Sequence, residues 1–202
     1  MEQTSEPETV TVWDPLVRLG HWGLVVAFAT AYLTEGEPEW LHTYAGYTIA
    51  GIVGLRVIWG FAGPRCARFS DFVTGPGRVL AYLKALLTGQ ARRHVGHSPA
   101  GGAMTVALLV ALAATALTGM GNLAAEEGRG PLAEIVAQSS EHGSGLDDHD
   151  EDDGAELWEE THEIAANLTL ILIVLHLGGV ALASYAHREN LARAMVTGRK
   201  QA

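Results

Sequence analysis

Apolar and polar positions divide the chain into four long apolar blocks and the charged segments between them. The blocks run from about Leu16 to Leu33, Tyr44 to Phe61, Ala103 to Leu123 and Ile164 to Tyr185, and are almost free of charge. Each is close to the ~20 residues that cross a bilayer as a helix. A core helix of a soluble domain this small would carry a polar stripe. These blocks carry mainly Gly, Ala, Ser and Thr instead, which suits close helix packing in lipid. The pattern predicts an all-α integral membrane four-helix bundle, one domain over residues 1–202. Between blocks two and three, PGRVLAYLKALL (76–87) is amphipathic, with Arg78 and Lys84 on its polar side, and is expected to lie in the cytoplasmic interface. GHSPAGG then leads into block three, its Pro99 and glycines marking a turn. The tail HRENLARAMVTGRK reads as a short amphipathic helix on the same surface.

Charge orients the spans. Of the thirteen Lys and Arg residues, only Arg129 lies between blocks three and four. The other twelve fall at the start of block one, from the end of block two to block three, or after block four. By the positive-inside rule both termini and the middle segment are cytoplasmic. The chain is then a multi-pass membrane protein. MEQTSEPETV is acidic, and no A-x-A-like site follows block one, so that block is expected to be a signal anchor rather than a cleaved leader. The single cysteine, Cys66, rules out an intramolecular disulfide and a CxxCH haem attachment, and reads as an unreactive loop thiol. With a net charge of −10, no nucleic-acid partner is expected.

The segment from about 124 to 163, placed outside, carries fourteen acidic residues and one arginine. It reads either as a solvated loop or as a docking surface for a basic partner, at Glu141, Asp147, Asp148, Asp150, Asp152 and Asp153. Such a surface would steer association and make it salt-dependent. His142 and His149 within it could hold a divalent cation only adventitiously.

Ionisable groups at membrane depth are expensive and usually functional. His162 and His176 lie fourteen residues apart on one block, which on a helix is roughly 21 Å of rise and about 40° of rotation. One stripe thus carries two imidazoles at two depths. The assigned topology places His21 near the inner face and His42 near the outer one. It gives two depth-matched pairs, His21 with His176 and His42 with His162. Bis-histidine haem takes one imidazole on each face of the porphyrin, and helix bundles build such sites between facing helices. Zinc would need further ligands nearby, and none clusters at His21 or His176 in the sequence. A proton relay would not need matched pairs. His97 is the next candidate ligand, and His94, His97 and His187 are expected at the cytoplasmic surface as interfacial or propionate-side contacts. Gly46, Gly51 and Gly54 would leave room for a flat macrocycle and for close helix approach. Arg56 would pair with a haem propionate or extend to the interface.

The stretches VWDPLVRLGHW, LHTYAGYTIAGIVGLRVIWGFAGPRCARFSDF, GHSPAGGAM with ALTGM, and EETHEIAANLTLILIVLHLGGVALASYAHRENLARAMVTGRK cover most of the chain. In this order they resemble the bacterial cytochrome b561 family, in the group that includes the cytochrome b subunit of nickel-iron hydrogenases. The resemblance implies two b haems in a four-helix bundle, with axial ligands His21 and His176 on the inner haem and His42 and His162 on the outer one. It implies a quinone as redox partner and a bacterial inner membrane as the location. The long acidic outer segment matches no element of the family. Some relatives oxidise superoxide at the outer face, an activity that a strongly negative outer surface would disfavour.

The first reading of function is therefore a diheme cytochrome passing electrons between the quinone pool and a basic periplasmic c-type cytochrome, acting as a quinol or quinone oxidoreductase. The alternatives are a superoxide:quinone oxidoreductase, a membrane-anchor cytochrome b subunit of a dehydrogenase or hydrogenase, and a transporter or structural membrane protein without haem.

Overall fold

The structure, a computed structural model, describes residues 9–34, 37–143 and 150–201, with the side chains of 139–153 and 201 outside that description. Glu141, Asp147, Asp148, Asp150, Asp152 and Asp153 of the expected docking surface, and His142 and His149, thus lie outside the residues whose side chains are described. The elements are strand β1 (Thr9–Thr11), helices α1 (Pro15–Thr34) and α2 (Glu39–Ala62), a 3-10 turn at Arg65–Ala67, and helices α3 (Phe69–Phe72), α4 (Pro76–Leu87), α5 (Pro99–Glu127), α6 (Ala133–Gly143), α7 (Asp150–His187) and α8 (Leu191–Thr197), then strand β2 (Arg199–Gln201). Among the described residues four helices are long and apolar enough to cross a membrane: α1, α2, α5, and α7 from Gly154 on. The chain is a multi-pass membrane protein, consistent with an all-α bundle.

Local chemistry explains where the spans begin. Asp14 Oδ1 accepts from the backbone N–H groups of Leu16 (3.0 Å) and Val17 (3.1 Å), with Pro15 next to it. Ser98 Oγ accepts from Gly101 N (3.1 Å), followed likewise by Pro99. Each is a polar N-cap before a proline whose missing N–H costs nothing in a first turn. GHSPAGG is therefore a helix start and not only a turn. Within the spans, Thr48, Thr105 and Thr118 donate their hydroxyls to the carbonyl four residues back, and of Thr115 and Thr169 one does so while the other donates across to it, so these polar groups are satisfied without water.

Two expectations are corrected. The acidic segment 124–163 is not simply a loop: α5 continues to Glu127, α6 follows, and α7 begins at Asp150. Its Ala, Glu and Leu favour helix. The tail is helical only over α8, after which β2 pairs antiparallel with β1, Thr9 opposite Gln201 and Thr11 opposite Arg199. α8 starts on Asn190, whose side chain accepts from Arg193 N (2.8 Å), and ends on Gly198 at φ +79°, the left-handed cap that glycine favours.

The chain divides into two compact units, residues 1–25, 54–107 and 172–202, and residues 26–53 and 108–171. Each takes a part of all four long helices. In the first, the strand pair is a clasp. Val12 N and Trp13 N donate to Gly198 O (2.8 and 3.2 Å), and an Arg18 guanidinium N–H donates to Val196 O. Val12, Trp13, Val17 and Ala67 form its core, with Trp59, Cys66 and Met195 packed against them. Glu189 takes an ion pair from Arg93 (3.3 Å), and Lys200 Nζ donates to His94 O (3.2 Å). In the second unit, Phe28, Ile49, Val53, Leu109, Leu112 and Ala116 are buried. There the Thr115 and Thr169 hydroxyls meet at 2.9 Å, with Thr169 fully buried.

Candidate functional site

Each unit holds one histidine pair. In the first, the rings of His21 (α1) and His176 (α7) face each other with centroids 6.4 Å apart and planes at 55°. In the second, His42 (α2) and His162 (α7) lie 6.1 Å apart at 83°. All four rings are half-buried. Two imidazoles bound to one metal from opposite sides, each at about 2.0 Å with ~1.15 Å more to the ring centre, have centroids roughly 6.3 Å apart. Both spacings fit a bis-imidazole centre, and no hydrogen bond joins the two rings of either pair. Among the described residues no group of three or more His, Cys, Asp or Glu side chains comes together to hold a metal ion.

Hydrogen bonds orient the second pair. His42 Nδ1 lies 2.9 Å from Ala31 O. His162 Nδ1 lies 3.0 Å from Thr115 O and 3.2 Å from Thr118 Oγ1. A carbonyl oxygen only accepts, so Nδ1 of each ring carries the proton and Nε2 keeps its lone pair for a ligand. Such bonds fix tautomer and ring angle in metal-binding histidines. In the first pair, His21 Nδ1 is buried with no partner.

Three glycines of α2 border open space. A Cβ at Gly46, Gly51 or Gly54 would have nothing within 4 Å. The expectation that these glycines also bring helices into close approach is corrected, because they border open space. Close approach occurs at α5, where a Cβ on Gly119 would come 2.8 Å from His162 Cε1. Thr115, Thr118 and Gly119 had no signal in the sequence beyond ALTGM in a span without histidine.

Arg56 lies with its guanidinium 5.3 Å from the Phe69 ring centre and 6.0 Å from that of Phe72, and its Nη1 is buried without a partner. Near it, His97 stacks obliquely on Phe72 (4.2 Å) and meets Trp13 edge-on (4.6 Å), with Nδ1 buried and unpartnered. His97 is therefore packed among aromatic rings rather than lying at the surface. Burial first, then the charges of Arg56 and Lys200, push its pKa down to about 4, with the backbone of Cys66 acting the other way. It is neutral at pH 7. Burial, ahead of the Arg93 charge, also lowers the pKa of Lys200. A cavity of about 260 Å³ opens here, lined by Arg65, Cys66, Asp71, Phe72, His94 and His97 among others. The remaining surface histidines are occupied elsewhere: His94 Nδ1 with Arg92 O (2.9 Å) and His187 Nε2 with Tyr82 OH (3.2 Å).

The residues present thus fit haem: paired imidazoles at the right separation, open space at glycines, and a buried arginine donor without an acceptor. No curated protein and no solved structure matches the chain. The prokaryotic cytochrome b561 family matches residues 12–198, nearly the whole length, and the chain belongs to that family, whose members are membrane b-type cytochromes of electron transfer.

Proposed function

We propose that this chain is a diheme cytochrome b that carries electrons across a bacterial inner membrane between the quinone pool and a basic periplasmic c-type cytochrome. His21 and His176 hold one haem, near the cytoplasmic face, and His42 and His162 hold the other, near the outer face. The observation that carries the reading is the pair of His–His separations, 6.4 and 6.1 Å. Haem, when bound, supplies reversible one-electron chemistry at an iron saturated by two imidazoles, which favours electron transfer over oxygen binding. The protein's part is to orient the imidazoles, exclude water and neutralise the propionates. Arg56, with its unpartnered Nη1, serves a propionate through a charge-assisted bond. Glu141, Asp147, Asp148, Asp150, Asp152 and Asp153 steer the cationic partner.

The test is haem content and the reduced-minus-oxidised spectrum of purified wild type, His176→Ala and His162→Ala. Wild type should carry two haems, and each variant should lose one and keep the other. Retention of both in either variant contradicts the pairing. For the partner, transfer to a cationic c-type cytochrome should slow steeply with salt, and neutralising the six acidic residues should remove that dependence. An unchanged rate and salt slope would remove the docking role.

A further inference from the structure

We propose that α5, the one span without a candidate axial ligand, provides a positioning seat for His162, made of the Thr115 carbonyl, the Thr118 hydroxyl and the bare Cα of Gly119. This rests on the diheme reading and adds to it residues that touch no iron.

Three contacts converge on one ring. The Thr115 carbonyl, 3.0 Å from Nδ1, requires that nitrogen to be the donor. Thr118 Oγ1, 3.2 Å from the same nitrogen, spends its own proton on Ala114 O (2.9 Å) and Thr115 O (3.1 Å), so a lone pair is left to accept. Gly119 sets the height of the ring. A Cβ there would stand 2.8 Å from Cε1, 3.1 Å from Nδ1 and 3.4 Å from Nε2, so the imidazole lies against the glycine backbone. Carbon atoms in contact sit at about 3.5–4.0 Å. An alanine would therefore force the ring to turn or lift, and either motion breaks the Nδ1 bonds. Seven residues along α7, Thr169 locks the two helices by its 2.9 Å bond to the Thr115 hydroxyl, which keeps the seat under the ring.

The facing ligand is seated in a similar way, His42 Nδ1 against Ala31 O at 2.9 Å. The other pair differs: among the described residues neither His21 nor His176 has such a hydrogen bond, and His21 Nδ1 is buried without one. An Nδ1–H donated to an acceptor raises the basicity of the ligating nitrogen. A more basic ligand favours the oxidised metal. The seat therefore depresses the potential of the haem held by His42 and His162 and leaves the other haem alone.

The experiment uses the full chain purified with its haems, as wild type, Thr118→Val and Gly119→Ala. It reads haem content, low-spin electron paramagnetic resonance signals and a redox titration. Thr118→Val keeps the volume of the side chain and removes the acceptor. It should retain both haems, raise one midpoint and leave the other in place. Gly119→Ala should lose the haem that His162→Ala loses, or keep it with an altered low-spin signal. If Thr118→Val leaves both midpoints and both signals as in wild type, or moves both midpoints equally, the seat is refuted, whether or not Gly119→Ala folds. If wild type carries fewer than two haems, the diheme reading itself fails, and the two failures are distinguishable.

Discussion

Acidification should destabilise this protein through one buried imidazole. His97 packs between Phe72 and Trp13, and its pKa falls from 6.5 to about 4 through burial, helped by Arg56 on α2 and Lys200 on β2 and opposed by the backbone of Cys66. The folded state thus binds fewer protons than the unfolded state between those two values. Stability is fully present above about pH 6.5 and is lost as pH falls toward 4. At about 1.4 kcal/mol per pKa unit, the whole shift is worth about 3 kcal/mol, of which roughly 2 kcal/mol is gone by pH 5. The assay is unfolding in mixed detergent–dodecyl sulfate micelles, followed by tryptophan fluorescence, for wild type and His97→Gln at pH 7.5 and pH 5. Glutamine is polar and of similar size but does not titrate. Wild type should lose roughly 2 kcal/mol more than His97→Gln over that interval. Parallel losses in the two proteins would refute the assignment, because the pH sensitivity would then lie elsewhere.

Gly198→Ala should loosen the terminal clasp. Its φ of +79° and the 2.8 Å approach of a Cβ to Trp13 O are both unfavourable, so a loss of about 1 kcal/mol or more is expected in the same unfolding assay. Thr169→Val removes the hydroxyl contact to Thr115, while Thr115 keeps its bond to Ala111 O. The cost should be about 0.6 kcal/mol, the usual scale of a polar contact between helices in a membrane. Arg129→Gln breaks ion pairs with Glu39 and Glu127 at an exposed site, so unfolding should change by less than about 1 kcal/mol and the effect should fade at high salt.

The histidine pairs show how far sequence reasoning reaches. The 3.6-residue period puts His162 and His176 on one stripe, and chain reversal at each loop sets His21 and His42 at the two depths. That much follows from counting. The roles of the rings do not, because they depend on which atoms of a neighbouring helix face Nδ1. Ala31 and Thr115 act through backbone carbonyls, groups every residue carries, so no residue type marks them in advance. Gly119 resembles any small residue in a lipid-facing span until its neighbour is known. His97, read as a surface histidine from its place in a basic loop, is instead enclosed by Trp13 from the N-terminus and Phe72 from α3.

The sequence by itself determined the four membrane spans, the twelve-to-one partition of basic charge and the family, because span length and charge asymmetry are one-dimensional properties read directly by a bilayer. Only the tertiary structure decided the rest: the β1–β2 clasp between the two ends of the described chain, the helical form of much of the acidic segment, and the seat on α5 that distinguishes one imidazole pair from the other. The clasp and the seat depend on backbone groups or packing distances between residues far apart in the chain, which no local pattern of side chains encodes; the helices of the acidic segment follow local propensity, which its density of charge masks.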